Sequence, residues 1–88
     1  MMKYEEMAKQ LQKLAEQLNA ELISFEYRKQ IFGNMIVKIK KADTVYDFVT
    51  DRGEIYCNNS LLCDASYHQA GTSDTFPRLV EIIKERVV

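Results

Sequence analysis

The spacing of apolar residues changes twice along this chain, and these changes predict the order of its secondary structure. Up to Leu18 the apolar residues recur at steps of three and four, which places them on one stripe of a helix. They are Tyr4, Met7, Ala8, Leu11, Leu14, Ala15 and Leu18. The pattern predicts a helix over residues 3 to 19, ending at Asn19.

After Ala20 apolar and polar residues alternate, as they do in strands with one buried side. Four successive segments follow this pattern. Their apolar sides are Ile23, Phe25 and Tyr27; Met35, Val37 and Ile39; Tyr46 and Phe48; and Ile55 and Cys57. Leu61-Leu62-Cys63 is a candidate for a fifth short strand beside the fourth, whereas residues 69 to 73 are typical of a loop.

Two tight hairpins follow from the rule that paired strands set inward residues opposite inward residues. A two-residue loop at Ala42-Asp43 pairs Ile39 with Tyr46 and Val37 with Phe48 on the inner side. On the outer side it pairs Lys38 with Asp47, and opposite charges favour that register. A second loop at Arg52-Gly53 pairs Phe48 with Cys57 and Thr50 with Ile55.

The first hairpin needs a different loop. A two-residue loop at Gly33-Asn34 would set Tyr27 opposite Lys40 and separate the apolar faces. We therefore predict an odd loop of three or five residues within Gln30 to Asn34, with Gly33 or Asn34 at positive φ.

Near the end of the chain the apolar residues again recur at the spacing of one side of a helix. Ser73, Asp74 and Thr75 are candidate caps, and Pro77 suits a first helical turn. The apolar residues of this stripe are Phe76, Leu79, Val80, Ile83 and Val87. The pattern predicts a second helix over residues 75 to 87.

The order of these elements predicts the fold class. A chain of 88 residues is too short for two cores, so residues 1 to 88 are expected to form a single domain. We predict an α+β fold of two layers, α-β-β-β-β-(β)-α, in which an antiparallel meander sheet carries both helices on one face.

Charge and hydropathy argue against several classes of partner. Twelve basic and thirteen acidic residues give a net charge of −1, and no segment departs far from that balance. A basic footprint for nucleic acid or for a membrane surface is therefore not expected. The apolar runs are far shorter than the roughly 20 residues of a membrane span. The first residues include acids and no apolar stretch, so we expect a cytoplasmic protein unless a leader has been removed.

One group of residues has the chemistry of metal ligands: Cys57, Cys63 and His68, with Asp64 nearby. Their spacing matches no common zinc motif, and alternation points Cys57 into the core. We expect two reduced, structural thiols, with no cofactor, no metal and no catalytic residue. A small metal or thiol site at Cys57, Cys63 and His68 stays an alternative, because pairing of Cys63 with His68 would depend on the fold.

A nucleic-acid-associated regulator is the other alternative. Double-stranded-RNA-binding domains share the order of a helix, antiparallel strands and a helix, and they contact phosphates with lysines near the start of the second helix. Here that start reads Thr72-Ser73-Asp74-Thr75-Phe76-Pro77-Arg78, which holds one acid and one arginine. Shared topology alone does not predict shared function.

The outer side of the predicted sheet is less polar than expected for an isolated protein. The two registers place Ile36 opposite Val49 and Val49 opposite Tyr56, an apolar row across three strands, with Val45 close by. Either residues 59 to 72 fold back over this apolar row, using Leu61, Leu62 and Tyr67, or the row binds a protein, most economically a second copy. Scattered exposed apolar residues are a third reading. The function we expect is a small non-enzymatic accessory domain that acts through protein binding on this outer face, with either another protein or a second copy of the chain as the partner.

Overall fold

The computed structural model describes residues 3–28, 30, 34–63 and 75–88. Its helices and strands are α1 Tyr4–Gln17, β1 Glu21–Arg28, β2 Asn34–Lys41, β3 Thr44–Asp51, β4 Glu54–Cys57, β5 Ser60–Cys63 and α2 Thr75–Arg86. The strands lie side by side in chain order, and each pair is antiparallel. The predicted α+β meander is therefore confirmed, including the fifth strand.

Both helices pack on one face of the sheet and close one hydrophobic core with it. Helix α1 contacts β1, and α2 contacts β3 and α1. The buried residues of this core are Met7, Leu11, Leu14, Met35, Val37, Ile39, Phe48, Ile55, Cys63, Phe76, Leu79, Ile82, Ile83 and Val87. The second helical stripe is thus wider than predicted, because Ile82 joins it.

Helix α1 ends at Gln17, two residues before the predicted end, and the chain turns away from the helix at Asn19. Asn19 has φ 55°, a left-handed conformation that asparagine tolerates better than most residues. The Asn19 amide donates to the Glu16 carbonyl, and the Ala20 amide donates to the Ala15 carbonyl at 2.8 Å. This pair of bonds is the Schellman arrangement, which satisfies carbonyls at the helix end and turns the chain into β1.

The two tight hairpins have the predicted registers. Ile39 lies opposite Tyr46 and Val37 opposite Phe48, and Lys38 pairs with Asp47 on the other side of the sheet. The third and fourth strands likewise pair Phe48 with Cys57 and Thr50 with Ile55. Positive φ values occur at Ala42, Arg52 and Gly53, so both tight turns use left-handed backbone.

The first strand departs from the predicted alternation. The pairing of β1 with β2 shifts between Leu22 and Ser24, so Leu22 lies opposite Ile39 and packs against the core. Ile23, which the alternation assigned to the apolar side, is 48% exposed. A bulge adds one unpaired residue to a strand and so breaks a period of two. The prediction for Ile23 is therefore wrong.

The loop between β1 and β2 has an odd length, as predicted. Arg28 pairs with Asn34, which leaves residues 29 to 33 between the strands, one position earlier than the predicted window. Asn34 is a strand residue rather than a residue with positive φ. Gly33, the other predicted turn residue, lies outside the described residues, as do the candidate caps Ser73 and Asp74.

Side chains of β2 and β3 tie the sheet to its β3–β4 turn. The hydroxyl of buried Thr50 accepts a hydrogen bond of 2.8 Å from the Met35 amide. The side-chain oxygen of Asn34 accepts one of 3.1 Å from the Arg52 amide, and its nitrogen donates to Asp51. These bonds hold the end of the sheet that carries the β3–β4 turn.

Candidate protein-binding face

The outer face of the sheet, defined as the side opposite the two helices, carries the residues that alternate with the core positions. The apolar row lies across its middle, with Ile36 on β2, Val49 on β3 and Tyr56 on β4. All three side chains are half-buried. The predicted registers thus bring these residues together on one surface, because cross-strand partners share a face.

Two further apolar residues lie on the outer face. Leu61 of β5 is opposite Tyr56 and extends the apolar row to a fourth strand; it is 51% exposed. Val45 is 45% exposed, but it lies opposite Lys40, and Asp47 separates it from Val49 along β3. Val45 is therefore on the same face as the apolar row without being part of it.

The position of β5 corrects one part of the idea that residues 59 to 72 cover the apolar row, namely the part assigned to Leu61 and Leu62. Leu61 lies within the sheet beside Tyr56, and Leu62 packs against the core, so neither can fold back over the row. A register shift between Ile55 and Tyr56 in the β4–β5 pairing produces this placement. Tyr67, the third residue of that idea, lies outside the described residues.

The β2–β3 pairing places Lys38 and Asp47 next to each other on one side of the apolar row. The backbone of Asp47 is held by Asn58, whose side-chain oxygen accepts from the Asp47 amide at 3.0 Å and whose amide donates to the Asp47 carbonyl at 2.9 Å. Oδ1 of Asp47 is buried without a hydrogen-bond partner. Within the described part of the chain, neither Lys38 nor Asp47 joins an ion pair.

Acidic residues dominate the other side of the row on β3 and β4, where Asp51 pairs with Glu54. The Tyr56 hydroxyl donates to Oε1 of Glu54 at 2.8 Å. This hydrogen bond raises the pKa of Tyr56, and burial and the negative charges of Glu54 and Asp51 add to the effect. The phenol is therefore kept protonated, and its hydrogen bond to Glu54 holds the ring of Tyr56 in place beside the acidic residues.

The two cysteines lie on the core side of the sheet. Cys57 is opposite Phe48 and half-buried, and Cys63 is opposite Ile55 and buried; neither forms a disulfide bond. Burial raises the pKa of Cys57, which the positive charge of Arg86 opposes and the negative charge of Asp47 reinforces. Cys57 is therefore a partly buried core thiol rather than an activated one.

His68 and Asp64 are both outside the described residues, so the alternative of a site at Cys57, Cys63 and His68 stays a prediction. Over residues 3–28, 30, 34–63 and 75–88, no group of three or more histidine, cysteine or acidic side chains could hold a metal ion. The described helices include none that is long and apolar enough to cross a membrane.

Arg78, the arginine near the start of α2, is engaged within the chain. Its guanidinium donates to Oε2 of Glu81 at 2.9 Å. Hydrogen bonds to Cys63 and Glu81 raise the pKa of Arg78, so the cation interacts with neighbours on both α2 and β5.

No protein-family model matches this chain, and no curated protein or solved structure shows significant similarity to it.

Proposed function

We propose that this chain is a non-enzymatic accessory domain that works by protein binding, and that the outer face docks a second copy of the chain. The observation that carries the proposal is the apolar row, which continues through Ile36, Val49, Tyr56 and Leu61 on the face that the helices leave uncovered. An antiparallel sheet with one solvated face normally places polar residues there. A contiguous apolar strip flanked by polar residues is typical of a contact surface.

A second copy suits the outer face because the face carries both charge signs. Lysines Lys38 and Lys40 lie on β2, whereas Asp47, Asp51 and Glu54 lie on β3 and β4. A two-fold contact uses the same patch on both subunits. A charged patch can therefore be electrostatically complementary to its own copy only if it contains charges of both signs.

The size of the outer face sets the expected affinity. Five strands about 4.8 Å apart, the longest about 27 Å in length, cover on the order of 500 Å² per copy. A standard interface buries about 800 Å² per partner, so this contact is at the small end. We therefore expect a reversible dimer that is best observed at about 100 μM, well above common dissociation constants of dimers.

Val49→Asp tests the proposal, because it places a charge at the centre of the apolar row. We expect wild type to sediment as a dimer at about 100 μM and the variant to sediment as a folded monomer. Val88→Asp is the matched control, since Val88 is 82% exposed at the end of the chain beyond α2. This control variant should remain dimeric.

Two results would overturn the proposal. One is a wild type that sediments as a monomer at about 100 μM. The other is a folded Val49→Asp variant that dimerises as well as wild type does. Retention of the monomer on heparin that is lost with added salt would instead support the nucleic-acid alternative.

A further inference from the structure

We infer, on the basis of the proposed self-association, that the two-fold axis of the dimer runs along the strands between β2 and β3. Lys38 of each copy then meets the partner's Asp47. The arrangement follows from the distribution of charge on the outer face, where lysines lie on β2 and an aspartate lies beside them on β3. Lys38 is exposed and Asp47 is half-buried, and neither forms an ion pair within the described part of its own chain.

The axis determines which residues face one another. Rotation by 180° about a line parallel to the strands, lying between the two sheets and over the β2–β3 boundary, sets each β2 residue above the β3 residue of the same row. Ile36 then packs on the partner's Val49, and Lys38 lies over the partner's Asp47. Each cross-strand pair within one copy is therefore repeated between the copies.

Other two-fold axes bring like charges together. An axis over β3 sets Asp47 against the partner's Asp47, and an axis over β2 sets Lys38 against the partner's Lys38. An axis along the apolar row sets Asp47 against the partner's Asp51. Like charges that face each other across an interface are strongly unfavourable, so these three arrangements are disfavoured.

The twist of the two sheets limits how far from the axis the residues of one copy still face their counterparts in the other. Packed sheets cross at roughly 30°, so facing residues match best near the centre of the contact and diverge toward its edges. Ile36, Val49, Lys38 and Asp47 occupy neighbouring rows on the two strands beside the axis. Arg28 and Glu54 would also face each other, but they lie on β1 and β4, farther from the axis, and Arg28 already pairs with Glu26 at 3.7 Å.

A charge-exchange experiment tests this axis. Lys38→Asp and Asp47→Lys are made separately, and each is expected to self-associate at least about tenfold more weakly than wild type, because like charges then meet across the interface. Mixing the two variants should give a heterodimer, in which every facing pair is again opposite in charge. The double variant Lys38→Asp, Asp47→Lys should regain the homodimer. Sedimentation and native mass spectrometry measure all four samples.

Mixing separates contacts between copies from contacts within one copy. Within each single variant, residues 38 and 47 of the same copy carry like charges, and this is equally true in the homodimer and in the heterodimer. A gain of dimer affinity on mixing therefore arises only from contacts across the interface. The matched control mixes Lys40→Asp with Glu21→Lys, a second cross-strand pair of the outer face. About the inferred axis Lys40 faces the partner's Val45, so this mixture should show no preference for heterodimers.

The possible failures are distinguishable. If wild type dimerises and Val49→Asp prevents it, but mixing Lys38→Asp with Asp47→Lys gives no heterodimer, the outer face is the interface and the inferred axis is wrong. A preference for heterodimers in the Lys40 and Glu21 mixture would also overturn this axis. If wild type is a monomer at about 100 μM, the proposed function and the axis fail together.

Discussion

At the scale of single residues, the tight turns place one alanine in an unusual conformation. Ala42 has φ 54° in the loop between β2 and β3. The left-handed region costs an L-residue with a Cβ about 1 to 2 kcal/mol, whereas glycine enters it without that cost. Ala42 is thus a position at which the turn required by strand pairing overrides the preference of the residue.

Replacing this alanine is expected to stabilise the protein. Ala42→Gly removes the steric cost but adds unfolded-chain entropy, and the net gain should be about 0.5 to 1 kcal/mol. The midpoint of thermal unfolding should rise by a few degrees, measured by circular dichroism at a fixed protein concentration. Ala8→Gly in α1 is the control, and it should destabilise by about 1 kcal/mol. Equal destabilisation by both substitutions would contradict the assigned turn geometry.

Tyr56 provides a second prediction for a single residue. Its pKa lies above the ordinary value of about 10, chiefly because its hydroxyl donates to Glu54. The difference in absorbance at alkaline pH between wild type and Tyr56→Phe should therefore show a midpoint above 10. Glu54→Gln removes the negative charge and should lower that midpoint. An unchanged midpoint in Glu54→Gln would show that the hydrogen bond does not raise the pKa.

The same shift predicts how stability depends on pH. Because the pKa of Tyr56 is raised in the folded protein, folding favours its protonated form. This contribution is fully present below the unfolded pKa near 10 and is lost as the pH rises through the folded pKa. Tyr56→Phe should remove this part of the alkaline loss of stability, as measured by urea unfolding at several pH values.

At the scale of elements, strand pairing could be predicted where turns were tight and failed where a bulge intervened. The β2–β3 and β3–β4 registers followed from inward residues alone, because a two-residue loop leaves one register that matches the faces. The bulge near Ile23 and the shift near Tyr56 escaped prediction, since a strict alternation assumes that every residue of a strand is paired. Leu61 was therefore missed as a neighbour of Tyr56.

At the scale of the whole molecule, the two helices and the sheet share one core. Leu11 of α1 and Leu79 of α2 are both fully buried in it together with Phe48 of β3. A small domain with one continuous core is expected to unfold in one cooperative step. The elements from the two ends of the chain therefore depend on each other for stability.

Shortening one buried leucine side chain on either helix should destabilise the whole domain. Leu11→Ala and Leu79→Ala should each cost about 2 to 5 kcal/mol, because each leaves a cavity in the core. Circular dichroism and tyrosine fluorescence should report the same midpoint for each variant. Ile23→Ala, at an exposed position, should change stability by less than about 1 kcal/mol. Separate transitions for helix and sheet would contradict a shared core.

The amino-acid sequence by itself determined the order of elements, the two tight registers and the apolar row, because periods of 3.6 and 2 distinguish helix from strand and a strand has only two faces. Tertiary structure alone decided that Leu22 replaces Ile23 in the core and that Leu61 extends the row instead of covering it. Both outcomes depend on bulges, which arise from how neighbouring strands meet in space. The Ile36, Val49 and Tyr56 row was predicted from local pairing, whereas the adjacent fourth member required the folded sheet.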